Sequence, residues 1–523
     1  MNDTAPRPAA PTASALATGP ATATPPWPSA AQAWYLIAVL MVAYVLSFID
    51  RVVLALLVGP IRAEFGVNDT AMSILYGFGF AIFYTTLGVP IARLADRLNR
   101  RNIIAAGIFF WSLMTAACGV TRNYWELLLA RIGVGVGEAA LSPAAYSMIA
   151  DSFPERTLGR ALSVYTIGLP MGVGLALIIG GAVVQFAATA PPVVLPVFGQ
   201  LSAWHLVFIV VGLPGILVAA WMMTLPEPVR RRLAPPTQAA PPAGGGHYLP
   251  LAAGVALLVA ALAGVEIPGG TGFAEAFQLP PGTGGIGIAV VVLGFGALYA
   301  WLIVPPLARF LHEGRDHLRT RWGVYAATIL GFSVLGMVLN GVQIWGVQWF
   351  VRVHEFPLSR AGLWIGLVIA VFGTLGIVAG GWITDWLRAR GHVDAALRTG
   401  LIASIGLVPF VATATLMDDP RVAIALLVPV GLFTSFAFGA GAAAITVLTP
   451  NHLRAQASAI YLLFVNLIGI GLAPLLVALL NDYVYADDLA VGRSLAIVST
   501  CAALLAAALF AWGLPRFRRA IAG

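Results

Sequence analysis

The chain is poor in charge: Asp, Glu, Lys and Arg make up 10% of its 523 residues, against about 25% in a soluble domain. That deficit excludes a molecule whose surface lies mostly in water. Lysine is missing altogether, and all 29 basic residues are arginines. The net charge is +7, yet these arginines sit in short loops rather than on one basic face, which excludes a nucleic-acid partner. Cysteine is nearly absent. Cys118 and Cys501 both lie inside apolar runs and read as small buried hydrophobes, with neither a disulfide framework nor a metal-ligand spacing. His205 alone among the histidines falls inside a core apolar run; a lone histidine is no metal site, and it is given no role. No phosphate-binding loop, Cys/His cluster or paired carboxylates in a soluble segment occur, so neither an enzyme nor a cofactor is expected. The first 30 residues are rich in Ala, Pro, Thr and Ser, with Arg7 as their one basic residue. They lack an apolar core of signal-peptide length and read as a disordered cytoplasmic tail.

What is abundant is apolar sequence: 59% of residues are hydrophobic and the mean hydropathy is +0.90. Core spans are expected at about 34–60, 70–92, 102–121, 126–150, 159–187, 204–225, 323–350, 361–384, 399–417, 422–449, 456–480 and 494–514. Each is long enough to cross ~30 Å of hydrocarbon. Two further candidates, about 248–266 and 285–307, flank the Gly/Pro-rich stretch Ile267–Gly284; as a pair they leave the downstream orientation unchanged. With the N-terminus inside, 21 arginines fall on the cytoplasmic side and 6 on the other, so both termini are expected in the cytoplasm and the protein in the inner membrane. This divides the chain into a tail (1–30), an N-terminal six-helix half (31–226), a central linker with the two extra helices (227–322), a C-terminal six-helix half (323–515) and a short tail (516–523).

The halves carry the same punctuation. After the second span comes Ala92-Arg-Leu-Ala-Asp96-Arg97-Leu-Asn99-Arg100-Arg101, and after the eighth Gly381-Trp-Ile-Thr-Asp385-Trp-Leu-Arg388-Ala-Arg390. Pro154-Glu-Arg-Thr-Leu-Gly-Arg160 before span five is echoed by Pro450-Asn-His-Leu-Arg454 before span eleven. The two repeats are offset by 289 and 296 residues, the mark of a duplicated six-helix unit. Ala92–Arg101 resembles the signature loop of the major facilitator superfamily, with Ala92 and Asn99 in place of two glycines. Asp96-Arg-Leu-Asn-Arg-Arg101, Phe48-Ile-Asp50-Arg51, Arg131-Ile-Gly-Val-Gly-Val-Gly-Glu138 and Asn466-Leu-Ile-Gly-Ile-Gly-Leu-Ala-Pro474 are similar to its spinster-like branch. The resemblance implies an all-α polytopic membrane protein of the major facilitator fold, with the substrate site between two parallel halves. It also implies that the acidic and basic residues of spans one and four take part in proton coupling and substrate recognition.

The residues point the same way. Asp50, Arg51, Arg131 and Glu138 sit inside spans, where each charge costs about 2.5–3.5 kcal/mol on insertion scales, so they must pair or line a water-filled cavity. Arg131 and Glu138 are two helical turns apart and share a face; Asp50 and Arg51 point about 100° apart. The economical arrangement has Arg51 meeting Glu138 across spans one and four, with Asp50 reaching the cavity, and Gly133, Gly135 and Gly137 letting another helix approach. Asp50 or Glu138 then gains and loses a proton during transport; the alternative is a static ion-pair clasp. Asp96, Arg97, Arg100, Arg101 and the weaker copy Asp385 are expected to form a cytoplasmic gate, the alternative being arginines that only enforce topology. Tyr44, Asn340, Gln343, Asn466 and Tyr461, with Gln348, are candidates for a largely apolar cavity or for helix–helix hydrogen bonds. Span five lacks the Gly-Pro-x-x-Gly-Gly order associated with proton antiporters, leaving the direction of transport open. The expected function is proton-coupled secondary transport of a small amphipathic or lipophilic compound by a monomer in the bilayer. The competing readings are an organic-anion permease using Arg51 and Arg131 as carboxylate clamps, and a non-transporting membrane receptor.

Overall fold

The structure, a computed structural model, describes residues 26–189, 193–195, 199–230, 315–450 and 453–522. The expected extra helices at 248–266 and 285–307 lie outside the described residues, as does most of the N-terminal tail. Among the described residues, twelve helices are long and apolar enough to cross a membrane. The first six spans are Ala30–Leu56, Asp69–Ala92, Arg100–Cys118, Tyr124–Ser152, Arg156–Phe186 and Ala203–Met222. Spans seven to twelve are Arg319–Arg352, Leu358–Ala389, Ala395–Ala414, Pro420–Leu448, Gln456–Tyr485 and Asp488–Ile521. All twelve coincide with the apolar runs of the sequence, and the last helix continues to Ala522, carrying Arg516, Arg518 and Arg519 with it. A short antiparallel hairpin, β1 (Val193–Leu195) with β2 (Gly199–Leu201), lies between spans five and six.

Local chemistry sets where the spans begin. Ser29 opens span one through a reciprocal capping box with Gln32. Asn99, the residue that departs from glycine in the signature loop, caps span three by accepting from the Asn102 amide at 3.0 Å. Asn123 caps span four in the same way at the Glu126 amide, 3.0 Å away.

Several of the spans depart from regular helix. Span one tightens into a 3-10 turn at Val53–Leu56. Spans two, eight and eleven each contain a π-helical stretch, at Ile74–Phe78, Val368–Gly373 and Val465–Leu472. All three of those spans take part in contacts between the halves. A Cβ on Gly77 of span two would fall 2.5 Å from the Ile470 carbonyl of span eleven; one on Gly366 of span eight would fall 2.6 Å from the Gly174 carbonyl of span five. Glycine permits that backbone-to-backbone approach where lipid supplies no hydrophobic drive.

The end of the molecule where span six finishes and span seven starts is here the linker face, and the opposite end the far face. At the linker face each half is fastened internally. Buried Arg100 donates to Asp151 at 2.5 Å, Glu227 at 2.7 Å and the Pro228 carbonyl at 2.8 Å, tying spans three, four and six together. The C-terminal half reverses the signs. Buried Asp394, before span nine, pairs with Arg398 at 2.8 Å and with Arg518 of span twelve at 2.6 Å. Burial opposes its charge, but the Arg518 and Arg398 guanidinium groups outweigh that and hold the carboxyl below the usual carboxylate range.

The ion pairs that cross between halves are gathered at the far face. Asp69, fully buried at the start of span two, receives both terminal nitrogens of Arg352 from span seven, at 2.6 and 2.8 Å. Arg62 bridges Asp69 and Asp488, each at 3.0 Å. Asp482 accepts from the Thr70 amide and hydroxyl, both at 2.6 Å, and Gln348 donates to the Ala55 carbonyl at 2.8 Å.

Adjacent glycines in span eight give a clean test of the packing. A Cβ on Gly380 would collide with the backbone of Phe436 in span ten, whereas one on Gly381 would meet nothing. Gly380→Ala is expected to destabilise the protein by about 1–3 kcal/mol, read as a lower thermal midpoint in detergent, and Gly381→Ala to leave it unchanged.

Candidate functional site

Three of the four charges expected inside the membrane converge, and the fourth turns away. Arg51 pairs with Glu138 between spans one and four, with both side chains buried. The pair lies where both helices break. The first helix of span one ends at Val52, and span four is split just after Glu138, into Tyr124–Glu138 and Leu141–Ser152.

Arg131 is fully buried and spends its terminal nitrogens on backbone: it donates to the Asp50 carbonyl at 2.8 Å and to the Arg51 carbonyl at 3.3 Å. Those carbonyls belong to the last turn of the first helix, where regular bonding gives way to the 3-10 turn Val53–Leu56. Arg131 is therefore a cap on span one, not a free carboxylate clamp.

Asp50 is fully buried, and the expectation that it reaches a cavity does not match its position. Its carboxylate faces Trp111 and Thr115 of span three. The reason lies in span four's glycines. A Cβ on Gly137 would stand 2.8 Å from the Trp111 backbone nitrogen, one on Gly133 would meet Met114 at 2.7 Å, and one on Gly135 would meet Phe80 of span two at 3.3 Å. Span three thus comes close enough to occupy the direction in which Asp50 points.

Aromatic rings close around the other side of the ion pair. The Arg51 guanidinium carbon lies 4.8, 4.4 and 5.0 Å from the ring centres of Phe48, Phe80 and Tyr84, distances at which a desolvated cation gains about 2 kcal/mol or more. Tyr44 stacks on Tyr165 at 4.7 Å, and Tyr146 meets Tyr165 edge-on at 5.5 Å. Phe80, Tyr84, Tyr146 and Tyr165 were not reached from the sequence. The available signal was two aromatic pairs at i, i+4, Tyr44/Phe48 and Phe80/Tyr84, in spans flanking the charges.

The remaining candidates scatter. Asn340 donates to Gly336 of its own helix at 2.9 Å, and Gln348 joins the halves at the far face. Gln343 is buried and Asn466 half-buried, while Tyr461 packs edge-on against Phe332 at 6.5 Å within the C-terminal half. Of the expected gate, Arg100 and Arg101 bind the end of span six: the Arg101 amide donates to Glu227 at 3.1 Å and its side chain to the Leu225 carbonyl at 3.1 Å. Arg97 and Asp385 are exposed, and the Asp96 side chain lies outside the described residues.

Twelve spans in two fastened halves, joined at one face, with balanced charge buried at helix breaks, define a membrane transporter of the two-half kind. Residues 40–474 match the Major Facilitator Superfamily, and the chain belongs to that family. It is 26% identical, over 94% of each chain, to an MFS-type efflux pump of Mycolicibacterium smegmatis. Over 153 residues, 29% of this chain and 28% of its relative, it is 37% identical to the mouse (Mus musculus) sphingosine-1-phosphate transporter SPNS2. A bacterial homolog of the human lysosomal transporter spinster, solved in an inward-facing, unoccupied conformation, has the same fold. Its TM-score is 0.65 at 22% identity, covering 95% of this chain and 98% of that one. The resemblance to the spinster-like branch read from the motifs is thus shared by sequence relatives and by a solved structure.

Removing one member of the buried pair leaves the other uncompensated. Glu138→Ala is expected to cost about 3–5 kcal/mol, seen as a lower thermal midpoint, while the double change Arg51→Leu with Glu138→Leu recovers most of it. A double variant no more stable than the single one would mean that the pair is not the dominant contact of Arg51.

Proposed function

We propose that this protein is a proton-coupled secondary transporter of a small amphipathic or lipophilic organic compound, working by alternating access as a monomer. In this reading it resides in the inner membrane with both termini in the cytoplasm, and the clasped far face is the outer gate. The observation that carries the reading is the Arg51–Glu138 pair at two helix breaks, walled by Phe48, Phe80 and Tyr84. A carboxylate held by one guanidinium changes its hold on a proton when helix movement lengthens that contact. Protonation of Glu138 releases Arg51, and the freed charge favours a rearrangement that regular, unbroken helices would resist. Apolar and aromatic surroundings suit a substrate with little charge of its own. The organic-anion reading loses support because Arg131 is committed to span one's carbonyls.

Reconstituted protein with a pH dye trapped in the vesicles tests this. Substrate pools are expected to drive proton movement that Glu138→Gln abolishes while membrane insertion is retained. Substrate exchange without proton movement would sink the coupling and recast the pair as a substrate clamp. Competition by simple carboxylates would revive the anion permease.

The outer gate has its own test. Asp69→Asn removes the charge that Arg352 and Arg62 share. It is expected to raise, several-fold, the labelling of a cysteine introduced at Ser73 by a membrane-impermeant thiol reagent applied from the far side. Unchanged labelling would mean that the clasp does not limit access.

A further inference from the structure

Polar atoms buried without partners are few in folded proteins, and each calls for a reason. Here a group of them surrounds Asp50. Both carboxylate oxygens of Asp50, the Trp111 indole nitrogen, the Thr115 hydroxyl and the Arg131 Nε are buried without hydrogen-bond partners. Trp111, Thr115 and Asp50 are all fully buried, and the two donors lie near enough to act on the carboxylate without closing a hydrogen bond to it in this conformation.

Thr115 is the informative member. Threonines inside these spans habitually fold the hydroxyl back onto the carbonyl four residues earlier. Thr166 does so to Leu162 at 2.7 Å, Thr328 to Val324 at 2.7 Å, Thr374 to Ala370 at 2.6 Å and Thr434 to Val430 at 2.8 Å. Thr115 makes no such bond: its hydroxyl, like those of Thr85 and Thr415, is left without a partner, and of the three it is the one beside Asp50. Trp111 and Thr115 are four apart, one helical turn, so both donors present one face of span three. Gly137 provides the space for Trp111, since a Cβ there would meet it at 2.8 Å.

We infer that Trp111 and Thr115 are positioning residues that set how strongly Asp50 holds a proton, by closing hydrogen bonds to its carboxylate from span three when it ionises. The inference rests on the proton-coupling reading for its biological meaning, but the chemistry stands by itself. A hydrogen bond given to the charged form of a carboxylate favours that form, and at a site with no exposure water cannot substitute for it. The charged and titratable groups around Asp50 are Arg51 beside it, Arg131 and Glu138 from span four, and the Cys118 thiol from span three. Spans five and six contribute no charged residue to this layer. Between Ala161 and Phe186 the one titratable side chain is Tyr165, and between Ala203 and Met222 it is His205, bonded to the Thr121 carbonyl at the far face. Asp50 thus has neutral donors beside it on span three while the rings gather on Arg51, an arrangement suited to storing a proton.

The test is infrared titration of the protonated-carboxyl band that is lost in Asp50→Asn, on full-length protein in liposomes without substrate. Thr115→Val keeps the shape and removes the donor, Trp111→Phe removes the indole N–H, and Thr115→Ser restores a hydroxyl. The pH of half-protonation is expected to rise by about half to one unit in each of the first two variants and to stay at the wild-type value in Thr115→Ser. A merely structural role for span three would lower the thermal midpoint without moving the titration. A titration that stays put in both donor-less variants, or an Asp50 band that does not titrate in wild type, overturns the inference. The coupling reading fails separately, by substrate movement without proton flux in a wild type whose Asp50 band still titrates; that result leaves the positioning role standing.

Discussion

Everything in the N-terminal half is arranged around the cost of charge in hydrocarbon. Two acids and two arginines are buried in spans one and four, and a charge at such depth costs about 2.5–3.5 kcal/mol on insertion scales. The protein offsets that cost by different means for each group. Arg51 has a counter-charge and three rings. Glu138 has Arg51. Arg131 finds carbonyls at the end of span one's first helix. Asp50 faces donors on span three. The helix breaks in spans one and four are part of this solution, since the Arg51–Glu138 pair and the carbonyls that Arg131 holds both sit at them. The glycines of span four belong to it as well, because without them span three could not approach.

A second constraint is the contrast between the two faces. Arg100 at one end of the N-terminal half and Asp394 in the C-terminal half do the same mechanical work with opposite signs, tying the third and sixth span of each half together. Such fastenings make each half move as a body. The Asp69–Arg352 bond does something different, since it crosses from span two to span seven and must break if the far face is to open. Its two parallel contacts, at 2.6 and 2.8 Å, form the bidentate geometry that guanidinium and carboxylate favour. Rigid halves with a breakable clasp at one face are the mechanical requirements for rocking about a central site.

The sequence made some of this legible and concealed the rest for definable reasons. Span positions follow from hydrophobic length, which is a property of each segment alone. The Arg51–Glu138 contact could be reached because helical spacing fixes which residues share a face and unpaired charge is too costly to leave. Where Asp50 points could not be reached. Spacing gives its angle relative to Arg51, about 100°, but not which neighbouring helix fills that direction. The clasp was hidden for a similar reason: Asp69 and Arg352 stand at the ends of spans, where charge is ordinary, and nothing local links residues 283 apart. Thr115 gave no signal because a threonine in a span reads as self-satisfied; its failure to bond its own helix, beside Asp50, marks it out.

The two carboxylates therefore occupy unlike environments although both are buried and separated by a single residue's change of direction. Glu138 is held by Arg51: under the proposed coupling, a movement of span one would carry its partner away and change its hold on a proton. Asp50 faces neutral donors on span three, a helix fixed to spans four and six by Arg100, as well as the charges of Glu138 and Arg131. A transporter needs both kinds of group if a proton is to be taken up in one conformation and kept until another is reached. One site must be switched by movement, and the other must hold its setting through it. The proposed division of roles rests on what each carboxylate touches, with Arg131 gripping the span-one backbone at Asp50 and Arg51.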